Sequence, residues 1–359
     1  MPEPLKNLYS AQLINTLCEQ IVNQYVDFDA DGFTKYVFDK EWENRELKER
    51  MVHISKSFRI FIPKKYSETL EILKAVSPKF DGFEYMFLPG FVELYGLNNY
   101  EDSIIALEHF TEYASSEFAV RPFIKQYKNK MMVQMNVWAE STNHHVRRLA
   151  TEGCRPRLPW AMALPEFKKD PSLILPILKK LKNDESEYVR RSVANNLNDI
   201  SKDNPDIVIE IARKWLGYSK ELDWVTRHGC RTLLKQGHPE IMELFGFLKP
   251  EHIEIKDFTV QKLVEKGENI EFSFKLESKK QQLGKLRIEY AIDFMKKNGT
   301  QSRKVFKLSE SQNQTNEKII NKSHSFKKIS TRSYYAGIHS LAILVNGHEL
   351  SCIEFLLIE

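Results

Sequence analysis

The stretch Val146-Arg147-Arg148-Leu149-Ala150-Thr151-Glu152-Gly153-Cys154-Arg155-Pro156-Arg157-Leu158-Pro159-Trp160 opens on a signature that recurs along the chain. Val120-Arg121, Val189-Arg190-Arg191 and Val225-Thr226-Arg227 repeat it, each at a helix-like segment preceded by small polar residues. A helical hairpin of this kind cannot bury its apolar face alone, so neighbouring units are expected to stack into a solenoid. Because each Arg falls at the same place in its repeat, the stack is expected to line guanidiniums along one wall, a surface suited to an extended polyanion.

Working outward, the repeats occupy about residues 100–249, with second helices expected after Ser115-Ser116, Asn143, Asp184-Glu185-Ser186 and Asp223 as N-caps. Upstream, Leu5, Leu8, Leu13, Ile14, Leu17 and Ile21, and again Leu70, Ile72, Leu73 and Val76, follow helical spacing and predict an N-terminal helical layer. Asp27-Phe28-Asp29-Ala30-Asp31-Gly32 imitates a calcium loop, but its twelfth position is Phe38, where a bidentate Glu is needed. After Pro250 the spacing becomes alternating, as in Glu271-Phe272-Ser273-Phe274-Lys275-Leu276 and Ser340-Leu341-Ala342-Ile343-Leu344-Val345, with turn signals at Lys266-Gly267, Asn298-Gly299 and Asn346-Gly347. The fold expected is mainly α, a helical-repeat solenoid over 1–249 followed by a β-sandwich over 250–359.

The formal charge is +4, and from Pro250 onward there are 18 Lys and Arg against 14 Asp and Glu, leaving the repeats neutral. A nucleic-acid surface in the repeats must come from segregation, and Ala114 to Trp160 carries eight Lys and Arg against Glu117, Glu140 and Glu152. In the sandwich, Lys279-Lys280, Lys296-Lys297, Arg303-Lys304 and Lys327-Lys328 fall in expected loops, from which this domain is expected to close over DNA opposite the Arg wall. Four scattered cysteines without a metal-like cluster suit reduced thiols, and there is neither a membrane-length apolar run nor a signal-peptide core. A cytoplasmic protein without metal is expected.

At the corner after Val146, a helix from His145 would carry Glu152 in its last turn and stop at Gly153, while Pro156 and Pro159 stiffen the connection and place Trp160 in the first turn of the next helix. Taken singly, these residues have ordinary readings. Glu152 can be a solvated helix-end acid, Glu117 a first-turn acid that suits the helix dipole, Asp199 a capping residue and Trp160 core packing. Aligning the signatures puts Glu117 at a helix opening and Glu152 and Asp199 toward helix ends in neighbouring repeats, so three carboxylates are expected to converge on one groove. Carboxylates in a phosphate-binding wall oppose DNA unless they meet a positive group on the ligand. An N-alkylated base is such a group. Its departure leaves an oxocarbenium-like sugar that carboxylates stabilise, and the face of Trp160 adds a cation–π contact.

From about Phe91 to Phe247 the chain resembles the AlkC branch of the HEAT-like-repeat DNA glycosylases, within the AlkD/AlkC alkylation-repair superfamily. Ser116-Glu117-Phe118-Ala119-Val120-Arg121-Pro122-Phe123, the Val146 to Trp160 stretch, and Tyr188-Val189-Arg190-Arg191-Ser192-Val193-Ala194-Asn195-Asn196-Leu197-Asn198-Asp199 carry the resemblance. The β-rich tail is similar to the Ig-like domain of some members. The resemblance implies removal of 3-methyladenine and 3-methylcytosine from DNA without a metal or organic cofactor, with Glu117, Glu152, Trp160 and Asp199 at the lesion. The expectation is a monomeric, monofunctional glycosylase acting on double-stranded DNA containing alkylated bases, with Arg148, Arg155, Arg157 and Arg191 on phosphates. A non-catalytic HEAT scaffold that binds nucleic acid or protein is the alternative, and it explains the repeats equally well.

Overall fold

The computed structural model describes residues 4–62, 64–279, 282–329 and 332–359. They fall into two compact units, the first ending at Gly229 and the second running from Cys230 to Glu359. In the first unit the signature helices His144–Glu152, Glu187–Ile200 and Lys220–Gly229 pack side by side as successive rungs. Helices Lys128–Trp138, Leu175–Leu181 and Pro205–Trp215 cover them from the other layer. The signature valines Val120, Val146, Val189 and Val225 are all buried. The repeat is therefore a packing repeat, in which one β-branched side chain per unit seats its helix in a shared core.

Helix starts follow the polar signals with two shifts. Asn143 caps its helix, its Oδ1 accepting from the His145 amide at 2.8 Å. Helix Lys220–Gly229 begins ahead of Asp223, where the Ser219 hydroxyl accepts from the Leu222 amide at 3.1 Å, while Asp223 bonds back to the Gly217 amide at 2.7 Å. After Ser115-Ser116 the chain makes a turn first, and the helix runs only from Val120 to Gln126. In the N-terminal layer, Asp29 of the calcium-like stretch caps helix Ala30–Val37 through the Gly32 amide at 2.9 Å. Helix Leu47–Phe61 opens on a reciprocal capping box between Glu46 and Glu49 and packs against helix Phe87–Tyr95. Among the described residues, no helix is long and apolar enough to cross a membrane.

The second unit begins with helices Arg231–Gln236 and Pro239–Leu244 and continues as eight strands: β1 Ile253–Val260, β2 Leu263–Glu265, β3 Asn269–Ser278, β4 Gly284–Met295, β5 Gln301–Asn313, β6 Glu317–Ser325, β7 Gly337–Val345 and β8 His348–Ile358. One sheet has the order β1-β3-β6 and the other β2-β8-β7-β4-β5, antiparallel except for the parallel β2–β8 pair. Alternation works as anticipated in β3, whose Ile270, Phe272, Phe274 and Leu276 point into a core shared with Ile288, Ile292, Leu341 and Phe355 of the facing sheet. Asn346 and Gly347 form the two-residue turn between β7 and β8 with φ of +49° and +78°, the left-handed pair such hairpins require. A Cβ on Gly237 would stand 2.9 Å from the Gly347 Cα, and Asn346 Nδ2 donates to the Leu248 carbonyl at 2.8 Å. The short helices are thus packed on the strand turn, and the compact unit starts before Pro250. Arg303 and Lys304 lie within β5, not in a loop, and Arg303 is spent on Asp293 and Glu349. Lys280 falls outside the described residues.

Candidate active site

The signature arginines do not form one wall, because successive helical residues are rotated by about 100° and so face different surroundings. In two repeats, at Arg121 and Arg147, the Arg that directly follows the valine turns inward. Arg121 is fully buried and donates to the carbonyls of Met162 (2.7 Å), Gly153 (2.8 Å) and Arg155 (2.9 Å). With no carboxylate bonded to it, burial pushes its pKa down to about 10. Arg147 clamps Asp184 at 2.6 Å and the carbonyls of Ser141 and Thr142, and Arg190 bonds the carbonyls of Asp184 and Glu185. These three hold loops. The basic patch from Ala114 to Trp160 is also largely neutralised by acids elsewhere in the chain: Lys128 by Glu166, Lys130 by Glu101, Arg147 by Asp184 and Arg157 by Asp203.

The next Arg along meets the acids. Arg148 pairs with Glu117, donates to the Ser115 hydroxyl at 2.8 Å and reaches Glu152 at 3.5 Å. Glu152 accepts from Arg155 Nη1 at 2.5 Å, and Arg155 Nε donates to Asp199 Oδ2 at 2.8 Å. Lys202 closes the series on Asp199 Oδ1 at 3.1 Å. Glu117, Arg148, Glu152, Arg155, Asp199 and Lys202 therefore form one ladder of alternating charge, three carboxylates against three cations. The expected convergence of acids occurs, but as a neutralised row and not as a bare negative cluster.

Local structure explains the row. Glu152 is the last residue of its helix and Asp199 the penultimate residue of the next, so both carboxylates leave equivalent ends of neighbouring rungs. A Cβ on Gly153 would stand 2.6 Å from Val120 Cγ2, so the corner after Glu152 packs directly on the preceding signature valine and fixes where Arg155 starts. The Ser192 hydroxyl donates to Glu152 Oε2 at 2.6 Å and itself pairs with Thr151. Burial opposes charge on Glu152, but Arg148 and Arg155 outweigh it and hold the carboxyl below its ordinary range. For Arg148 and Arg155 burial again opposes charge, and the facing acids hold both above their ordinary values.

Trp160 differs from its expected setting. It lies in a turn, with the next helix starting only at Pro165, and it is 60% exposed with φ +62°, a backbone region unusual for so bulky a residue. Its carbonyl accepts from Lys48 Nζ at 2.7 Å, and its ring meets Phe83 edge-on at 6.1 Å. Among the expected phosphate ligands, Arg148 and Arg155 are committed to the acid row, which suits orienting carboxylates. Arg157 pairs with Asp203, and Arg191 with Glu187, at exposed positions.

A family described as "DNA alkylation repair enzyme" matches residues 111–233, and "Uncharacterised protein YhaZ, C-terminal Ig-like domain" matches residues 254–359. A Bacillus subtilis (strain 168) protein, the uncharacterized protein YhaZ, is 45% identical over 353 residues, 98% of each chain. The structure of Pseudomonas fluorescens alkylpurine DNA glycosylase AlkC, bound to DNA containing an abasic site analog, superposes with a TM-score of 0.94 at 36% identity, over 99% of this chain and 100% of that one. This chain belongs to the AlkC branch of the alkylpurine DNA glycosylases. Its C-terminal unit carries the Ig-like domain of that branch.

Several neighbours of the acids in this AlkC-family chain carry weaker sequence signals. The Arg148 guanidinium stands 4.8 Å from the Tyr188 ring centroid, and Arg191 stands 5.8 Å from that of Trp224. Tyr188 and Trp224 each immediately precede a signature valine, so the repeat register itself offered a signal that the motifs alone did not. Ser115 and Ser192 lie within quoted stretches, but their bonds to the charged row, like that of Lys202, emerge only through contact. Lys48 and Phe83 come from the N-terminal layer, far from the motifs in sequence.

Proposed function

We propose that this chain hydrolyses the N-glycosidic bond of cationic alkylated bases, 3-methyladenine and 3-methylcytosine, in duplex DNA. The supporting observation is the pairing of Glu152 with two guanidiniums, Arg155 at 2.5 Å and Arg148 at 3.5 Å: they favour its carboxylate form, which accepts rather than donates a proton. A neutral base needs a proton donor to leave. A base already positive does not: the electron pair of the C1′–N bond departs with it, neutralising it, and water adds to C1′ of the oxocarbenium-like sugar and releases its proton.

In this reading Asp199 and Glu152 stabilise the sugar cation and orient the water, Glu117 stands beside the lesion, and Trp160 offers its face to the positive base. Arg148 and Arg155 hold the acids in place, while the more exposed Arg157 and Arg191 contact phosphates. The Ig-like domain over 250–359 adds sequence-independent contacts through its loop lysines. The enzyme so read is monomeric and monofunctional. The deciding experiment is release of free bases from methylated duplex DNA by the purified chain: 3-methyladenine and 3-methylcytosine are expected in the supernatant. Binding to DNA without base release would favour a HEAT-repeat scaffold.

A further inference from the structure

We propose that the N-terminal helical layer sets the pose of Trp160 and that Lys48 is a positioning residue of the lesion site; this rests on the glycosylase reading above. Trp160 combines two features that the repeat core does not support: a residue 60% exposed and a backbone at φ +62°. Left-handed backbone at a bulky residue is costly and persists only where surroundings over-determine it. Arg121 anchors the flanks of this turn at Gly153, Arg155 and Met162, but the carbonyl of Trp160 itself is taken by Lys48 Nζ at 2.7 Å.

The same ammonium stands 4.7 Å from the ring centroid of Phe118, the residue after Glu117. One charge thus ties the turn that presents Trp160 to the turn that presents Glu117. Phe83 supports the indole from the side at 6.1 Å and 64°. Lys48 has a firm base, since it is the second residue of helix Leu47–Phe61, held by its capping box and packed on helix Phe87–Tyr95. The matched DNA alkylation repair segment begins at residue 111, so both supports come from outside it. The N-terminal layer is therefore part of the site, not merely a cap on the solenoid.

An exposed lysine in a DNA-binding protein is ordinarily a phosphate contact, and the test separates the two roles. In the full-length protein, Lys48→Met keeps the stem and removes the charge, and Lys48→Arg restores a donor. Acrylamide quenching of tryptophan fluorescence reports the pose, with Trp160→Phe as the background. Trp42, Trp138 and Trp215 are buried, and Trp224 supplies the other accessible signal. We expect Lys48→Met to change the Trp160 contribution and to slow single-turnover release of 3-methyladenine by about tenfold. Combined with Trp160→Ala it should cause no further loss, and Lys48→Arg should recover most of the rate. The salt slope of binding to undamaged duplex should stay unchanged. Unaltered quenching, or losses that multiply in the double variant, overturns the proposal. A salt slope shallower by about 0.9 with unaltered quenching assigns Lys48 to a phosphate instead. If the unmodified chain releases no base, the glycosylase reading fails on its own, while quenching still decides whether Lys48 sets the pose of Trp160.

Discussion

Arg155 Nε donates to Asp199 Oδ2 at 2.8 Å, joining the corner after one signature helix to the end of the next. Both partners are buried, and the other arm of the same guanidinium holds Glu152. Taking Arg155 away would leave two buried carboxylates short of a counter-charge. Removing one partner of a buried ion pair costs about 3–5 kcal/mol, so Arg155→Met should lower stability by that order, read as a shift in the urea midpoint. An unchanged midpoint would mean that the row relaxes without its central cation.

Asp199→Asn keeps the shape while removing the charge. Single-turnover excision of 3-methyladenine should fall at least about tenfold, because negative charge beside the departing base is the stabilising element. Affinity for undamaged duplex should be nearly intact. Rates close to those of the unmodified chain would take Asp199 out of the chemistry and leave Glu152 as the principal candidate, tested in parallel by Glu152→Gln.

The depressed Glu152 carboxyl has a signed consequence for acid stability. Its folded pKa lies below the unfolded value of about 4.3. The stability it contributes is therefore complete above that unfolded value and is lost as pH falls through the lower folded one. Between about pH 5 and 7 the unfolding free energies of the unmodified chain and Glu152→Gln should run parallel, and below about pH 4.3 the unmodified chain should lose stability more steeply. Curves parallel down to about pH 3 would show that the two arginines do not hold Glu152 ionised.

The sandwich lysines can be tested without truncation, which near Leu248 would cut through a packed unit. Changing Lys296, Lys297, Lys327 and Lys328 together to Gln should weaken duplex binding and make the salt slope shallower by about 0.9 for each phosphate these lysines neutralise. If affinity and slope both match those of the unmodified chain, these loops do not touch DNA.

The sequence by itself determined the packing frame. One valine per repeat, polar starts before helices such as His144–Glu152, alternation in β3 and Asn346-Gly347 at a hairpin are local signals, and local sterics and solvent preference answer them directly. That Glu117, Glu152 and Asp199 lie in one row was also legible, through the register of the signatures. What only the tertiary structure decided was partnership. Adjacent arginines such as Arg147 and Arg148 point about 100° apart around the helix, so one clamps the Asp184 loop while the other meets Glu117. Nothing in the local sequence says which acid lies across that gap. The Arg148–Glu117 and Arg155–Asp199 pairs bridge tens of residues, and Lys48 reaches Trp160 from 112 positions away. Charge pairing at such separations depends on where stacked helices bring their ends. That is a property of the assembled core, and it turned a row of acids read as bare into one balanced by cations.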